Sequence, residues 1–229
     1  PGDITKAQVE FDLYRSSNPT TTPDLVVPAT VDGSGLATGS VPSLGLDNWT
    51  VVMTTSDTDF FAGGPSDPAV VTVYQPSAGA YVTGGGWVHD PSYLDRPVAV
   101  SEDHDHGSFG FSVKPRKDGS PSGQSVYTFR GADGYVYQVK SNSWQSGGLA
   151  ISGRSAVFSG RATVTVVDPV TGTVVSSSGG YTIRVDVYDG SPIDTYAISV
   201  YTSNGVLFHR SGTPAVPLAL GGGNVLVHP

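Results

Sequence analysis

The chain has 229 residues, of which 30 are glycine and 17 proline, so about one position in five interrupts regular backbone and long helices are disfavoured. Charged residues make up 14% and the net charge is −8, which leaves no basic surface for phosphates and argues against nucleic acid and anionic membranes as partners. With no cysteine there is no disulfide, no thiolate zinc site and no thiol catalysis; no apolar run approaches about 18 residues and no leader opens the chain, which predicts a mature or trimmed soluble segment without membrane insertion.

Alternation with period two predicts an all-β fold of half-buried strands. Val9, Phe11 and Leu13 alternate with Glu10, Asp12 and Tyr14. Asp32-Gly33 and Gly35 then punctuate two short strands, and Trp49, Val51 and Met53 and Ala69, Val71 and Val73 supply two more alternating runs. Five or six strands by about residue 75 fit a small Ig-like β-sandwich. Gln75, Pro76, Ser77, Ala78 and Gly79 have the composition of a linker, which divides the chain into an Ig-like domain over 1–76 and a β-rich domain over 77–229.

Past the linker the strand signals are Tyr81 to Val88, then Phe109, Phe111 and Val113, then Tyr127 and Phe129, then Tyr135, Tyr137 and Val139. Ala162, Val164 and Val166 follow, then Tyr181, Ile183, Val185 and Val187, then Tyr196, Ile198 and Val200, then Val206 to Phe208 and Val225 to Val227. Hairpin chemistry falls between them at Asp118-Gly119, Asp133-Gly134, Thr171-Gly172, Asp189-Gly190 and Asn204-Gly205. Nine or ten strands in about 150 residues predict a larger β-sandwich or flattened barrel.

Five segments carry a resemblance: Gly2 to Phe11, Tyr81 to Trp87 with its Thr-Gly-Gly-Gly turn, Gly107 to Lys114, Tyr137 to Asn142, and Leu220 to Val227. Together, and in this order over nearly the whole chain, the sequence resembles the C-terminal two-domain region of large bacterial secreted or cell-surface proteins. The resemblance implies an Ig-like domain ahead of a β-rich terminal domain, an extracellular or cell-surface location, and other domains of a larger parent as partners. It brings no catalytic motif. The acidic, histidine-bearing stretch Ser101 to His106 departs from the family pattern.

That stretch holds the densest set of ligand-type side chains, Glu102, Asp103, His104, Asp105 and His106, with His89, Asp90 and Asp95 upstream. Imidazoles at i and i+2 share one face of an extended strand, so Asp103, His104, Asp105 and His106 are a candidate zinc site. Calcium competes for the carboxylates, and a solvated acidic loop is the alternative without metal.

The runs Gly84-Gly85-Gly86 and Gly221-Gly222-Gly223 precede neither a Lys-Ser/Thr pair nor a helix, so they are not read as phosphate cradles. Close backbone approach explains them, with the first and last strands of the second domain side by side. Aromatic residues raise a glycan platform. Tyr137 and Tyr181 share the parity of core valines, which leaves Trp87, Trp144, Tyr188 and Tyr201 as candidate sugar-binding residues. No Gly-x-Ser-x-Gly elbow occurs. Asn48-Trp49-Thr50 has the form of a glycosylation sequon. The function expected is a non-catalytic accessory, spacer or attachment module; a carbohydrate-binding module for an extracellular glycan and a metal-dependent hydrolase compete with it.

Overall fold

Among the residues described by the computed structural model, which are 2–15, 22–58, 62–73, 79–90, 98 and 104–229, there are fifteen strands and one short 3-10 turn, and no α-helix. The proposed linker stretch 75–78 lies outside the described residues. The fold is all-β, in two sheets.

The first sheet has six strands: β1 (Val9–Arg15), β2 (Leu25–Val31), β3 (Ala37–Thr38), β4 (Asp47–Thr55), β5 (Gly64–Pro65) and β6 (Ala69–Val73). Their order is β3-β2-β1-β4-β5, with β6 also paired to β4. The turn after β2 is built as its sequence suggests. Asp32 accepts from the backbone N–H groups of Ser34 and Leu36, and Gly35 takes a φ of +88° that a side chain would oppose. Leu13, Val27 and Trp49 form a small core, in which the Trp49 indole donates to the Gly45 carbonyl and the Arg15 guanidinium lies 4.8 Å over its ring.

The second sheet holds nine strands: β7 (Tyr81–His89), β8 (His106–Pro115), β9 (Pro121–Arg130), β10 (Val136–Ser152), β11 (Ser155–Val167), β12 (Val174–Tyr188), β13 (Thr195–Tyr201), β14 (Leu207–Ser211) and β15 (Leu218–His228). Their order is β12-β11-β10-β9-β8-β7-β15-β13-β14, and β12 also pairs with β13. Eight strands therefore close into an antiparallel barrel and β14 flanks it. Alternate side chains from every wall fill the interior, among them Phe109, Phe111, Tyr127, Phe158, Val185 and Tyr196. The Phe109 and Tyr196 rings stack 4.0 Å apart at its centre. Each such fully buried side chain contributes about 1.5–3 kcal/mol of transfer free energy, which makes this interior the main source of stability.

The turn glycines behave as their sequence suggests at Gly119, Gly134, Gly172 and Gly205, all at positive φ. Gly190 is different. Its φ is not in the left-handed region, and the constraint there is space: an added Cβ would meet the Ile193 carbonyl oxygen at 1.7 Å.

Two features decide how the ring closes. The first is the pairing of β7 with β15, where Gly86 faces Gly223 and Gly85 faces Asn224. A Cβ on Gly86 would sit 2.3 Å from the Gly222 carbonyl oxygen, so the two backbones approach closer than any side chain permits. The second is the seam between β13 and β15, which has only two residue pairs, Thr195 with Ala219 and Tyr196 with Leu218. Beyond them, side-chain carboxylates replace a neighbouring strand. Asp194 accepts from the Val225 N–H at 2.7 Å and Asp189 from the Val227 N–H at 3.1 Å.

The first sheet lies against the outer wall of the barrel through β4 and β6. The buried Asn48 amide donates to the Gly110 carbonyl on β8, and its oxygen lies 2.8 Å from the Thr72 hydroxyl, which is 3.0 Å from the Gly84 carbonyl on β7. Gln124 donates to Asp47, Gln138 to Thr50, and the Arg130 guanidinium to Asp67. Consequently the outward-facing Val126 and Thr128 of β9 are as buried as the interior, at 0% and 1% exposure. Asn48, at 0% exposure, is a structural residue and its sequon is closed to modification.

Two substitutions test the closure. Gly86→Ala should destabilise the protein by roughly 1–3 kcal/mol through overpacking, whereas Gly179→Ala on β12, whose nearest atom would be 3.8 Å away, should change it by no more than about 0.5 kcal/mol. Urea unfolding of the two variants measures both. Burial, the largest influence on Asp189, pushes its carboxyl up, but bonds from Arg154 and from the Val227 N–H outweigh it and hold the carboxyl below the usual range. A carboxyl lowered in the folded state lends stability that is present above the ordinary carboxylate range and lost as pH falls through its folded value. Asp189→Asn should therefore lower the melting temperature at neutral pH, and the gap to wild type should shrink as the pH is taken below the ordinary carboxylate range.

Candidate functional site

The ends of β7 and β8 bring together side chains that lie far apart in the chain. In the antiparallel register His89 faces His106, and Trp87 lies two residues before His89 on the same strand face. Asp105 immediately precedes β8, and its carbonyl accepts the Asp90 N–H at 2.7 Å, which continues the ladder by one bond. Its side chain joins the two imidazoles: Nδ1 of His89 and Nδ1 of His106 each lie 3.0 Å from a different carboxylate oxygen. One ligand atom from each of His89, Asp105 and His106 falls within 4.8 Å of the others.

Trp87 packs against both imidazoles, with ring centroids 4.8 Å from His89 and 4.5 Å from His106. Glycines make room for that ring. A Cβ on Gly221 would meet it at 1.9 Å and one on Gly222 at 2.7 Å, so the indole lies directly on the β15 backbone. His89 and His106 are exposed, and Trp87 and Asp105 are half-buried.

His104 is not brought to this cluster. Its Nδ1 lies 2.7 Å from Asp67 of the first sheet, and that same carboxylate accepts from Arg130. The expectation that His104 and His106 share a ligand face on one strand fails locally because β8 begins only at His106. Asp103, Glu102 and Asp95 lie outside the described residues. His89 takes the place that sequence spacing suggested for His104. The signal for it was strand pairing between the segments ending at His89 and starting at His106.

The four aromatic candidates do not gather into one strip. Tyr188 and Tyr201 occupy opposite ends of the β12–β13 pair, six residues or about 20 Å apart. Tyr188 is exposed and Tyr201 half-buried. Trp144, on β10, turns its edge to Phe158 and donates its indole N–H to the Gly123 carbonyl at 2.9 Å, so its ring is packed against the barrel core. Trp87 belongs to the histidine cluster.

Beneath that cluster lies a second polar group, fully buried: Asp90, Tyr127, His209 and Ser211. The Ser211 hydroxyl donates to the Asp90 carboxylate and is in short contact with the Tyr127 hydroxyl, which also lies 3.5 Å from Asp90. His209 stacks on Phe129 and places Nδ1 3.1 Å from the Val98 carbonyl and Nε2 3.2 Å from Ser211. A carbonyl only accepts, so Nδ1 carries the proton. The inventory is that of a Ser-His-Asp triad with its connections rearranged. A serine nucleophile gives its proton to an imidazole whose Nδ1 the carboxylate orients, whereas here Ser211 donates to the Asp90 carboxylate, that carboxylate lies 3.8 Å from Nε2 of His209, and Nδ1 is held by the Val98 carbonyl.

No family model matches the chain, and no curated protein and no solved structure is significantly similar to it.

The buried group predicts a contrast between two hydroxyls. Ser211→Ala removes a donor from a buried carboxylate and should cost about 1–3 kcal/mol. Tyr196, equally buried, has a hydroxyl with no hydrogen-bond partner among the described residues, so Tyr196→Phe should be neutral or stabilising by up to about 1 kcal/mol. Thermal or urea unfolding reads both.

Proposed function

We propose that the chain is a non-catalytic spacer or attachment module of an exported bacterial protein, its two sheets acting as one rigid body beside the other domains of a larger parent. The observation that carries this reading is the polar interlock between the sheets. Asn48, Asp47, Thr50 and Asp67 bond directionally to β8, β9 and β10, and the surface they cover is as dry as the barrel interior. Hydrogen bonds at buried positions fix orientation, because breaking one leaves an unsatisfied group that costs about 1–3 kcal/mol. A spacer needs that property: it must pass on position and force without hinging. A location outside the cell accords with the resemblance to the ends of surface proteins; the absence of cysteine is neutral on that point.

Backbone nitrogen-15 relaxation tests the rigid coupling. Wild-type protein should give one rotational correlation time for residues of both sheets. Asn48→Ala combined with Arg130→Ala should separate them into two. Independent tumbling in the wild type would sink the spacer reading.

A further inference from the structure

We propose that His89, Asp105 and His106 form a binding site for a late first-row divalent cation, with zinc as the principal occupant, which staples the end of β7 to the start of β8. Three observations meet here. The donor set is two imidazole nitrogens and one carboxylate oxygen, a combination that selects zinc and its neighbours over calcium, which needs six to eight oxygens about its centre. Their ligand atoms already lie within 4.8 Å of one another, against the separation of about 3.4 Å that donors adopt around a tetrahedral zinc with bonds near 2.0–2.1 Å, so side-chain rotations of about an ångström complete the shell. All three also stand on or next to paired strands, so the backbone that presents them is fixed before any ion arrives.

In the absence of metal, Asp105 holds both imidazoles by their Nδ1 atoms. Carboxylates accept only, so those contacts direct the Nδ1 protons inward and hold the two rings beside one another; an ion bound at Nδ1 takes the place of those protons, each neutral ring then carrying its one proton on Nε2. Without an ion these exposed pairs contribute little, since water and salt screen them. With an ion the same three groups close the chain between His89 and His106 into a loop. In a protein without cysteine this supplies the kind of cross-link a disulfide supplies elsewhere. Three protein ligands leave a fourth position on the solvent side for water or an incoming carboxylate.

Trp87 makes the site visible. Its ring is within 4.8 Å of one imidazole and 4.5 Å of the other, so a paramagnetic ion bound there must quench its emission, while Trp49 and Trp144 lie in other elements.

The test uses the full chain stripped of metal. Zinc is titrated by calorimetry at a pH of about 7.5, copper(II) by tryptophan emission, and calcium serves as the control. The expected result is one zinc per chain, a melting temperature that climbs with zinc concentration, no heat from calcium, and copper quenching that Trp87→Phe removes. His89→Ala, His106→Ala and Asp105→Asn should each weaken zinc by at least about tenfold, while His104→Ala binds as wild type. His89→Gln and His106→Gln replace the alanines if circular dichroism shows that either has disturbed the fold. Absence of zinc binding, binding indifferent to both His89 and His106, or equal loss in His104→Ala would each overturn the assignment.

Discussion

Closure of the barrel rests on a contact that only glycine allows. β7 and β15 are the first and last strands of the nine-stranded sheet, and at Gly86 and Gly223 they come together with no room for a side chain. Joining the first and last strands of the nine-stranded sheet this way places Trp87 over Gly221 and Gly222, and Trp87 in turn packs against His89 and His106. One strand position earlier, the Gly85 backbone lies beside Thr72 of the first sheet. Thus the two glycine runs between them serve three neighbours: the closing strand, the histidine cluster and the docked first sheet.

Docking depends on the same economy of side chains. Gly110 on β8 is approached by Val70, Thr72 and Asn48 of the first sheet, and a methyl group there would lie 2.4 Å from Val70. Flattening the barrel wall at this point lets the Asn48 amide reach the Gly110 carbonyl, although that carbonyl belongs to a strand already paired on both sides. An antiparallel barrel ordinarily presents polar side chains outward. Here Val126 and Thr128 face outward and are dry, so this patch of the wall is built to be covered.

Strand parity made much of the barrel readable. Val185, Ile183, Tyr137 and Phe111 sit inside, and the two glycine runs do lie side by side, because period-two alternation and the need for close approach are both local properties of the chain. Ligand convergence was less legible. His104 and His106 are two apart and look like a pair, but strand geometry starts at His106, and the carboxylate that meets His104 comes from Asp67, in the first sheet. His89 and His106 are paired by register, which depends on a long connection whose length fixes nothing about alignment. The Asp90, Tyr127, His209 and Ser211 group was invisible for the same reason: His209 and Ser211 sit two apart on β14, but Asp90 and Tyr127 come from two other places along the chain and no spacing links them to that pair.

Those two polar clusters, one above the other at the end of β7, show that residue type alone does not assign chemistry. The buried one has serine, histidine and aspartate, with its serine hydroxyl donating to the carboxylate and all three residues at zero exposure. Its hydrogen bonds tie β14 to β9 and to the residue after β7, which is a structural task in a region where β14 pairs with one strand only. The exposed cluster has fewer groups, but its two histidines are exposed on paired strands and one carboxylate already orients both rings. Burial and hydrogen bonding hold the first cluster rigid; the second is exposed while the strands beneath supply the rigidity. The adjacent residues His89 and Asp90 divide these roles because successive side chains on a strand point to opposite faces, so the end of β7 serves the core with one residue and the solvent with the other.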